Sequence, residues 1–235
     1  GNFAFSLFAE DATISNLQDL QDAGVTLAGY SIADSVDAVL ADYALGHAGF
    51  TDVVTSPNDP APVIKLTGAA GSPISFNEMV VLEGLVSSFP DDVHMAVADQ
   101  AQTIISAYGS SDDAHRLAIY DADTLTLTND GDPDAHLSIQ DLRDLMSLRQ
   151  FDLSNSSFDI QDTPLNLGTF FSSSALDKAD IIAAATQFET SPGPFTFDVD
   201  EADTLIQNSV VIVGGYSIED TASNVQTEIV DATNI

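Results

Sequence analysis

Short segments of alternating apolar and polar residues run along this chain, and apolar residues at helical spacing follow many of them. Alternation is typical of half-buried strands, whereas spacings of three and four residues are typical of helices. The segments with strand character include 25–27, Thr124–Thr128, Phe195–Phe197 and 210–213. The groups with helical spacing include Val36, Val39 and Leu40, and also Leu142, Leu145 and Met146. The pattern predicts short strands that alternate with short helices.

A short phrase, Asp-x-His, recurs along this pattern at a fixed interval, since it occurs at 92–94, 113–115 and 134–136. Apolar residues that keep the same register are Phe76, Val97, Ile139 and Ile160, and Ile32, Val199 and Ile218 continue the series at less regular spacings. The position two residues further on is usually acidic, which suits the N-cap or the first turn of a helix. These acidic residues are Asp34, Glu78, Asp99, Asp141, Asp162, Glu201 and Asp220. A fixed period of about 21 residues is typical of stacked repeats, in which each unit buries its apolar face on the next.

The period predicts an α/β fold, specifically a β/α solenoid of about 20–21-residue coils whose strands stack into one parallel sheet, about 4.8 Å apart. A strand and a helix in so few residues leave no room for a doubly wound βαβ unit of about 30 residues or more. The alternative is an irregular single α/β or α+β domain in which the periodicity is partly chance. Segments rich in Pro, Gly and Ser, such as 56–62 and 191–194, are interpreted as loops because the repeat resumes beyond them. We therefore expect one repeat domain over 1–235, cut from a longer chain.

Charge then limits the classes of partner. The chain has 235 residues, of which 44% are hydrophobic, and 37 acidic residues against five lysines and arginines give a net charge of −32. Such a charge repels nucleic acid, because affinity for phosphates depends on Lys and Arg. It favours hard cations, above all calcium. Cysteine is absent, so disulfides and thiolate metal sites are excluded, and no apolar run approaches the length of a membrane span.

The strongest candidate metal site lies in the acidic segment 130–141. Asp130, Asp132, Asp134 and Asp141 occupy positions 1, 3, 5 and 12 of a loop that can enclose one calcium ion, and His136 lies within it. The loop resembles the half-hand calcium loops of dockerin-like modules, although Ala135 replaces the glycine of the sharp turn and Asp replaces the last Glu. The alternative is an acidic turn in which Asp141 caps a helix.

The three histidines of the phrase, His94, His115 and His136, form the second candidate site. On adjacent coils they would stack about 5 Å apart, and with neighbouring carboxylates they would suit zinc or another divalent ion. A regular ladder holds side chains parallel, whereas metal ligands must converge. We therefore favour a surface ladder over a metal site.

Catalytic motifs are missing from the sequence: it has no Gly-x-Ser-x-Gly, no His-Glu-x-x-His and no phosphate-binding glycine loop. We expect neither catalytic nor cofactor-binding residues. The alternative function is a polysaccharide-active enzyme on a repetitive scaffold, since many acidic residues provide carboxylate pairs. The place to look for such a site is His115 and Arg116 with Asp112 and Asp113.

Two segments near opposite ends of the chain are near copies: Gly-Tyr-Ser-Ile-Ala-Asp-Ser at 29–35 and Gly-Tyr-Ser-Ile-Glu-Asp-Thr at 215–221. With Ala-Gly-Val-Thr at 23–26, they resemble the repeats of very large bacterial proteins exported by type I secretion, many of which carry calcium-binding repeats. The resemblance implies an extracellular or cell-surface adhesin, surface-layer or matrix protein. We therefore expect a non-catalytic structural or adhesive module that binds calcium ions. The expected partners are cell-surface polysaccharide or copies of the chain itself, without insertion into a membrane.

Overall fold

The computed structural model describes residues 8–25, 29–46, 63–68, 70–86, 89–90, 93–128, 136–224 and 226. The strands are β1 (Phe8–Ala12), β2 (Gly29–Asp34), β3 (Val63–Leu66), β4 (Ala96–Gln100), β5 (Thr124–Thr128), β6 (His136–Leu137), β7 (Phe158–Asp162), β8 (Ala185–Thr190), β9 (Phe195–Phe197) and β10 (Tyr216–Ile218). The helices are α1 (Ile14–Asp22), α2 (Val36–Ala44), α3 (Phe76–Leu85), α4 (Ala101–Tyr108), α5 (Asp113–Tyr120), α6 (Ile139–Met146), α7 (Pro164–Ser172), α8 (Lys178–Ala184) and α9 (Val199–Gln207).

The chain divides into two compact units. The first consists of Gly1–Ala98 and Ala107–Leu125, and the second of Asp99–Ser106 and Thr126–Ile235. The prediction of one domain over 1–235 stays a prediction. Among the described helices, none has the length and apolar character needed to cross a bilayer.

The described strands form four small sheets, and this arrangement shows that the predicted solenoid is wrong. Their orders are β1-β2-β3, β4-β5, β6-β7-β8 and β9-β10, and the pairings resolved in the first, third and fourth are parallel. The structure is therefore a mixed α/β arrangement, and its described residues form no single continuous stacked sheet.

Unequal spacing between paired strands explains the error. Ala9 pairs with Tyr30, and the number of residues from one to the other matches the period of the phrase. Ile32, however, pairs with Ile64, and this separation along the chain is about half as long again. In the β6-β7-β8 sheet, the partner of Ile160 in β8 is Phe188, which is also further along the chain than one period. A solenoid requires paired strands to be separated by the same number of residues throughout. These separations are unequal, because extra residues between some strands move the following residues out of the repeat register.

Local predictions fare better than the global one. Strands Thr124–Thr128 and Phe195–Phe197 are confirmed, whereas 210–213 contributes only an isolated bridge between Val211 and Glu189. Segment 25–27 lies mostly outside the described residues. The predicted helical spacing is confirmed in α2 and α6, whose apolar residues Val36, Val39, Leu142 and Leu145 are fully buried.

The starts of the helices are capped by side chains. Ser35, Thr163 and Asp112 each accept a backbone N–H of the first turn. Full capping boxes form at three other helices, in the pairs Ser75–Glu78, Ser138–Asp141 and Asp198–Glu201. The predicted role of Glu78, Asp141 and Glu201 as first-turn acids is confirmed. Each such cap is worth about 1 kcal/mol.

Candidate functional site: bridging aspartates and a carboxyl pair

The predicted calcium loop is only partly covered by the structure. Asp130, Asp132 and Asp134 lie outside the described residues. Asp141 belongs to the capping box of α6, where its Oδ2 accepts from the N–H of Ser138 at 3.2 Å and from the hydroxyl of Ser138 at 2.7 Å. His136 lies in β6 beside Asp159 of β7. Within the described ranges, no three His, Asp or Glu side chains are grouped closely enough to hold a metal ion.

The three histidines occupy three different kinds of local structure. His94 precedes β4, and its Nδ1 lies 3.4 Å from Oδ1 of Asp123. His115 lies in α5, with its ring centroid 5.7 Å from that of Phe76. His136 is in a strand, and its buried Nδ1 has no hydrogen-bond partner among the described residues. The repeated phrase therefore does not place them at equivalent positions.

A repeated arrangement does occur at aspartates that lie at or just beyond the ends of strands. Asp34 ends β2, and its Oδ1 accepts from the N–H of Ser35 at 2.8 Å. Its Oδ2 accepts from the N–H of Ile14 at 2.9 Å, at the start of α1. One carboxylate thus joins the first residue of α1 to the N-cap of α2, and the start of each helix has N–H groups without intrahelical partners.

Asp162 forms the same bridge in the second unit. Its Oδ2 accepts from the N–H of Ile139 at 3.1 Å, while its Oδ1 accepts from the N–H of Thr163 and the side chain of Asn166, both at 2.7 Å. Asp162 is buried because it lies on the same face of β7 as Phe158 and Ile160. A buried carboxylate is tolerated when hydrogen bonds replace its hydration, as they do here.

Asp220 repeats the bridge a third time. Its Oδ2 accepts from the N–H of Val199 at 3.1 Å, and its Oδ1 accepts from the N–H of Thr221 and the side chain of Asn224. The N–H groups of Val199 and Thr221 hold the pKa of Asp220 below its usual value. We describe Asp34, Asp162 and Asp220 as the bridging aspartates.

The bridging role is not predicted from the sequence, whose pattern indicates N-caps or first-turn acids at these positions. The bridging aspartates instead precede the capping Ser or Thr by one residue. A signal is present, because Asp-Thr-x-x-Asn occurs at both 162–166 and 220–224. The asparagine of this pattern donates to the same carboxylate in both places.

A second acidic arrangement pairs two carboxyl groups in the first unit. Glu83 of α3 makes a side-chain hydrogen bond with Asp121, which follows α5 directly. Oε1 of Glu83 is buried and has no hydrogen-bond partner among the described residues. Burial raises the pKa of Glu83 to about 7, and the charge and hydrogen bond of Asp121 act in the same direction. The Glu83 carboxyl therefore takes up a proton near neutral pH.

The residues named for the enzymatic alternative lie at the first turn of α5. Asp112 is its N-cap, and Asp113 pairs with Arg116 while remaining largely exposed. Nδ1 of His115 lies 4.0 Å from the Asp112 carboxylate. These contacts are those of a capped, solvent-exposed helix start.

A groove in the second unit lies between α7 and α9. It has a volume of about 580 Å³, and its apolar lining includes Leu165, Phe197 and Leu205. Asp198 and Glu201 also line it, but both are engaged in the capping box of α9. The groove thus combines an apolar surface with carboxylates that already have a structural role.

Comparison with known proteins found no match: no protein-family model, no curated protein and no solved structure is significantly similar to this chain.

Proposed function

We propose that the chain is a non-catalytic structural or adhesive module of a large, secreted bacterial surface or matrix protein, and that it binds calcium. The observation that supports this most is the repeated use of one carboxylate to join two helix starts, at Asp34, Asp162 and Asp220. The same connection at three places is what a scaffold built from repeated local units would use.

The charge of the chain supports the cation-dependent part of the proposal. A net charge of −32 on 235 residues destabilises a compact state through self-repulsion. The described basic groups offset little of it, since Lys65, Arg116 and Arg143 are each engaged with one aspartate. Bound divalent cations or a saline medium would reduce the repulsion.

Calcium would bind in the acidic loop 130–141, with Asp130, Asp132 and Asp134 as ligands. At Asp141 the capping box uses Oδ2, so the cation would contact Oδ1. His136 would coordinate the ion only through a ring nitrogen, which is a poorer calcium ligand than oxygen. The proposal of a calcium site therefore depends on the carboxylates.

Thermal unfolding tests the proposal. Calcium at 100 times its Kd stabilises a protein by about 2.7 kcal/mol, which for a chain of this size raises Tm by roughly 5–10 °C. We expect this rise in millimolar CaCl2 relative to chelator at matched ionic strength, and its loss in the triple variant D130N/D132N/D134N.

A matched control separates a site from general screening. The variant D19N/D180N/D200N also removes three negative charges, all from exposed positions, and should keep the calcium response. An equal loss of response in both variants would show that calcium acts by screening, and an unchanged Tm in the unmodified protein would refute calcium binding altogether.

A further inference from the structure

The two near-copy segments form the same local structure. In the first, Ala12 of β1 pairs with Ile32 of β2. In the second, Phe197 of β9 pairs with Ile218 of β10. In both, a bridging aspartate lies two residues after the paired isoleucine, and the hydroxyl of the next residue accepts an N–H three residues further on. Strand β10 is therefore the structural counterpart of β2.

The counterparts differ in what lies on their other edge. Strand β2 pairs with β1 on one side and with β3 on the other, whereas among the described strands β10 pairs with β9 alone. Ile32 is 0% exposed, but its counterpart Ile218 is 44% exposed, and Tyr216 is 47% exposed. An apolar strand edge of this kind is a template for pairing with another strand.

The hydrogen-bond pattern shows which groups face this edge. The N–H of Glu219 donates to Phe197 and the carbonyl of Gly215 accepts from Phe195, so these alternate residues face β9. In a parallel pair the intervening residues present their N–H and C=O groups to the opposite side. These residues are Tyr216 and Ile218. In the first copy β3 uses the equivalent edge, where the N–H of Thr67 donates to the carbonyl of Asp34 at 2.8 Å.

We propose that the outer edge of β10 is a docking site for one parallel strand of the β3 type, an extended segment with the pattern aliphatic-aliphatic-basic-aliphatic. Strand β3 reads Val-Ile-Lys-Leu, and Lys65 lies opposite Ala33 of β2. The counterpart of Ala33 in the second copy is Glu219. A basic residue at that position of the docked strand would lie beside the Glu219 carboxylate, and cross-strand pairs of opposite charge are favourable.

The same charge argument selects the partner. A second copy of the chain would bring its own net charge of −32 to the interface, whereas a basic, aliphatic strand is attracted. Parallel strand addition supplies affinity through main-chain hydrogen bonds and specificity through alternate side chains. This proposal does not require calcium, so it can fail or succeed independently of the proposed function.

The test uses the full chain labelled with 15N and a peptide of residues 61–68 as the probe. Millimolar peptide should slow amide exchange at Tyr216 and Ile218 by tenfold or more, because their N–H groups become bonded. Exchange at Ser217 and Glu219 should change less, since the pairing with β9 already involves these residues. Slowing that is absent, or that appears at β2 instead, would overturn the proposal.

A charge exchange provides the matched control without disturbing the apolar positions. A peptide carrying Lys65→Glu should bind the unmodified protein at least fivefold more weakly, and the Glu219→Lys variant should reverse this preference. Equal affinities in all four combinations would contradict the assigned register. Protection of Ile218 that increases with protein concentration alone would identify a second copy as the occupant and would also refute the proposal.

Discussion

The bridge at Asp162 makes the sharpest prediction about stability. Its two oxygens accept three hydrogen bonds, from the N–H groups of Ile139 and Thr163 and from the side chain of Asn166. Asp162→Asn keeps one oxygen and replaces the other with an NH2 group. Whichever way the amide lies, a donor then faces a donor, because all three partners donate.

The size of the effect follows from that count. One hydrogen bond to a charged acceptor is lost, worth about 1.5–3 kcal/mol, and the remaining bonds weaken because the acceptor becomes neutral. We expect Asp162→Asn to lower the free energy of unfolding by about 3 kcal/mol. Asp162→Ala should cost more, about 4–5 kcal/mol, because all three donors lose their partner.

Two measurements separate the bridge from a general effect of charge. Urea unfolding followed by circular dichroism gives the free energy, and amide exchange at Ile139 reports on the bridge itself. Asp200→Asn removes an equal charge from an exposed position in the first turn of α9 and should cost less than about 1 kcal/mol. Equal losses for Asp162→Asn and Asp200→Asn, or unchanged exchange at Ile139, would refute the reasoning.

Two further predictions concern the dependence of stability on pH. The pKa of Glu83 is raised from 4.5 to about 7, so the folded protein holds a proton that the unfolded chain has released, and stability falls as pH rises through that window. Glu83→Gln should remove this fall and, after discounting for partial exposure, stabilise the protein by about 1 kcal/mol at pH 8 in urea unfolding; an unchanged pH profile would contradict it. The hydrogen bond from Arg143 lowers the pKa of Asp177 below 3.8, so this pair stabilises the fold above that pH and the contribution is lost as pH falls further. Asp177→Asn and Arg143→Gln should each cost less than about 1 kcal/mol at pH 7, and the double variant should cost no more than the larger single loss; additive losses would show that the two residues act separately.

Local structure is largely predictable from the sequence, because it depends on residues a few positions apart. Alternation identifies Thr124–Thr128 and Phe195–Phe197 as strands. The acidic residue two positions after an apolar one identifies first-turn acids at Glu78, Asp141 and Glu201. Each prediction needs only the geometry of one strand or one helical turn.

The global arrangement is not predictable from the same signal. A fixed period in sequence becomes a stacked sheet only if every turn of chain has equal length, and the step from β2 to β3 is longer than the step from β1 to β2. The role of the bridging aspartates is not predictable from the sequence for a related reason. Their bonds to Ile14, Ile139 and Val199 connect residues that are distant along the chain, which no local pattern specifies.

The near copies at β2 and β10 show where local sequence stops determining structure. Both segments form a parallel strand, a bridging aspartate and a capped helix start, so the repeated phrase is accompanied by the same local structure in both copies. Burial does not follow from the phrase, because Ile32 is fully buried whereas Ile218 is 44% exposed. The difference arises from β3, which covers only the first copy. Ile218 is the counterpart of a buried residue and is itself exposed. It therefore lies on the surface that we propose the second copy presents to a partner strand.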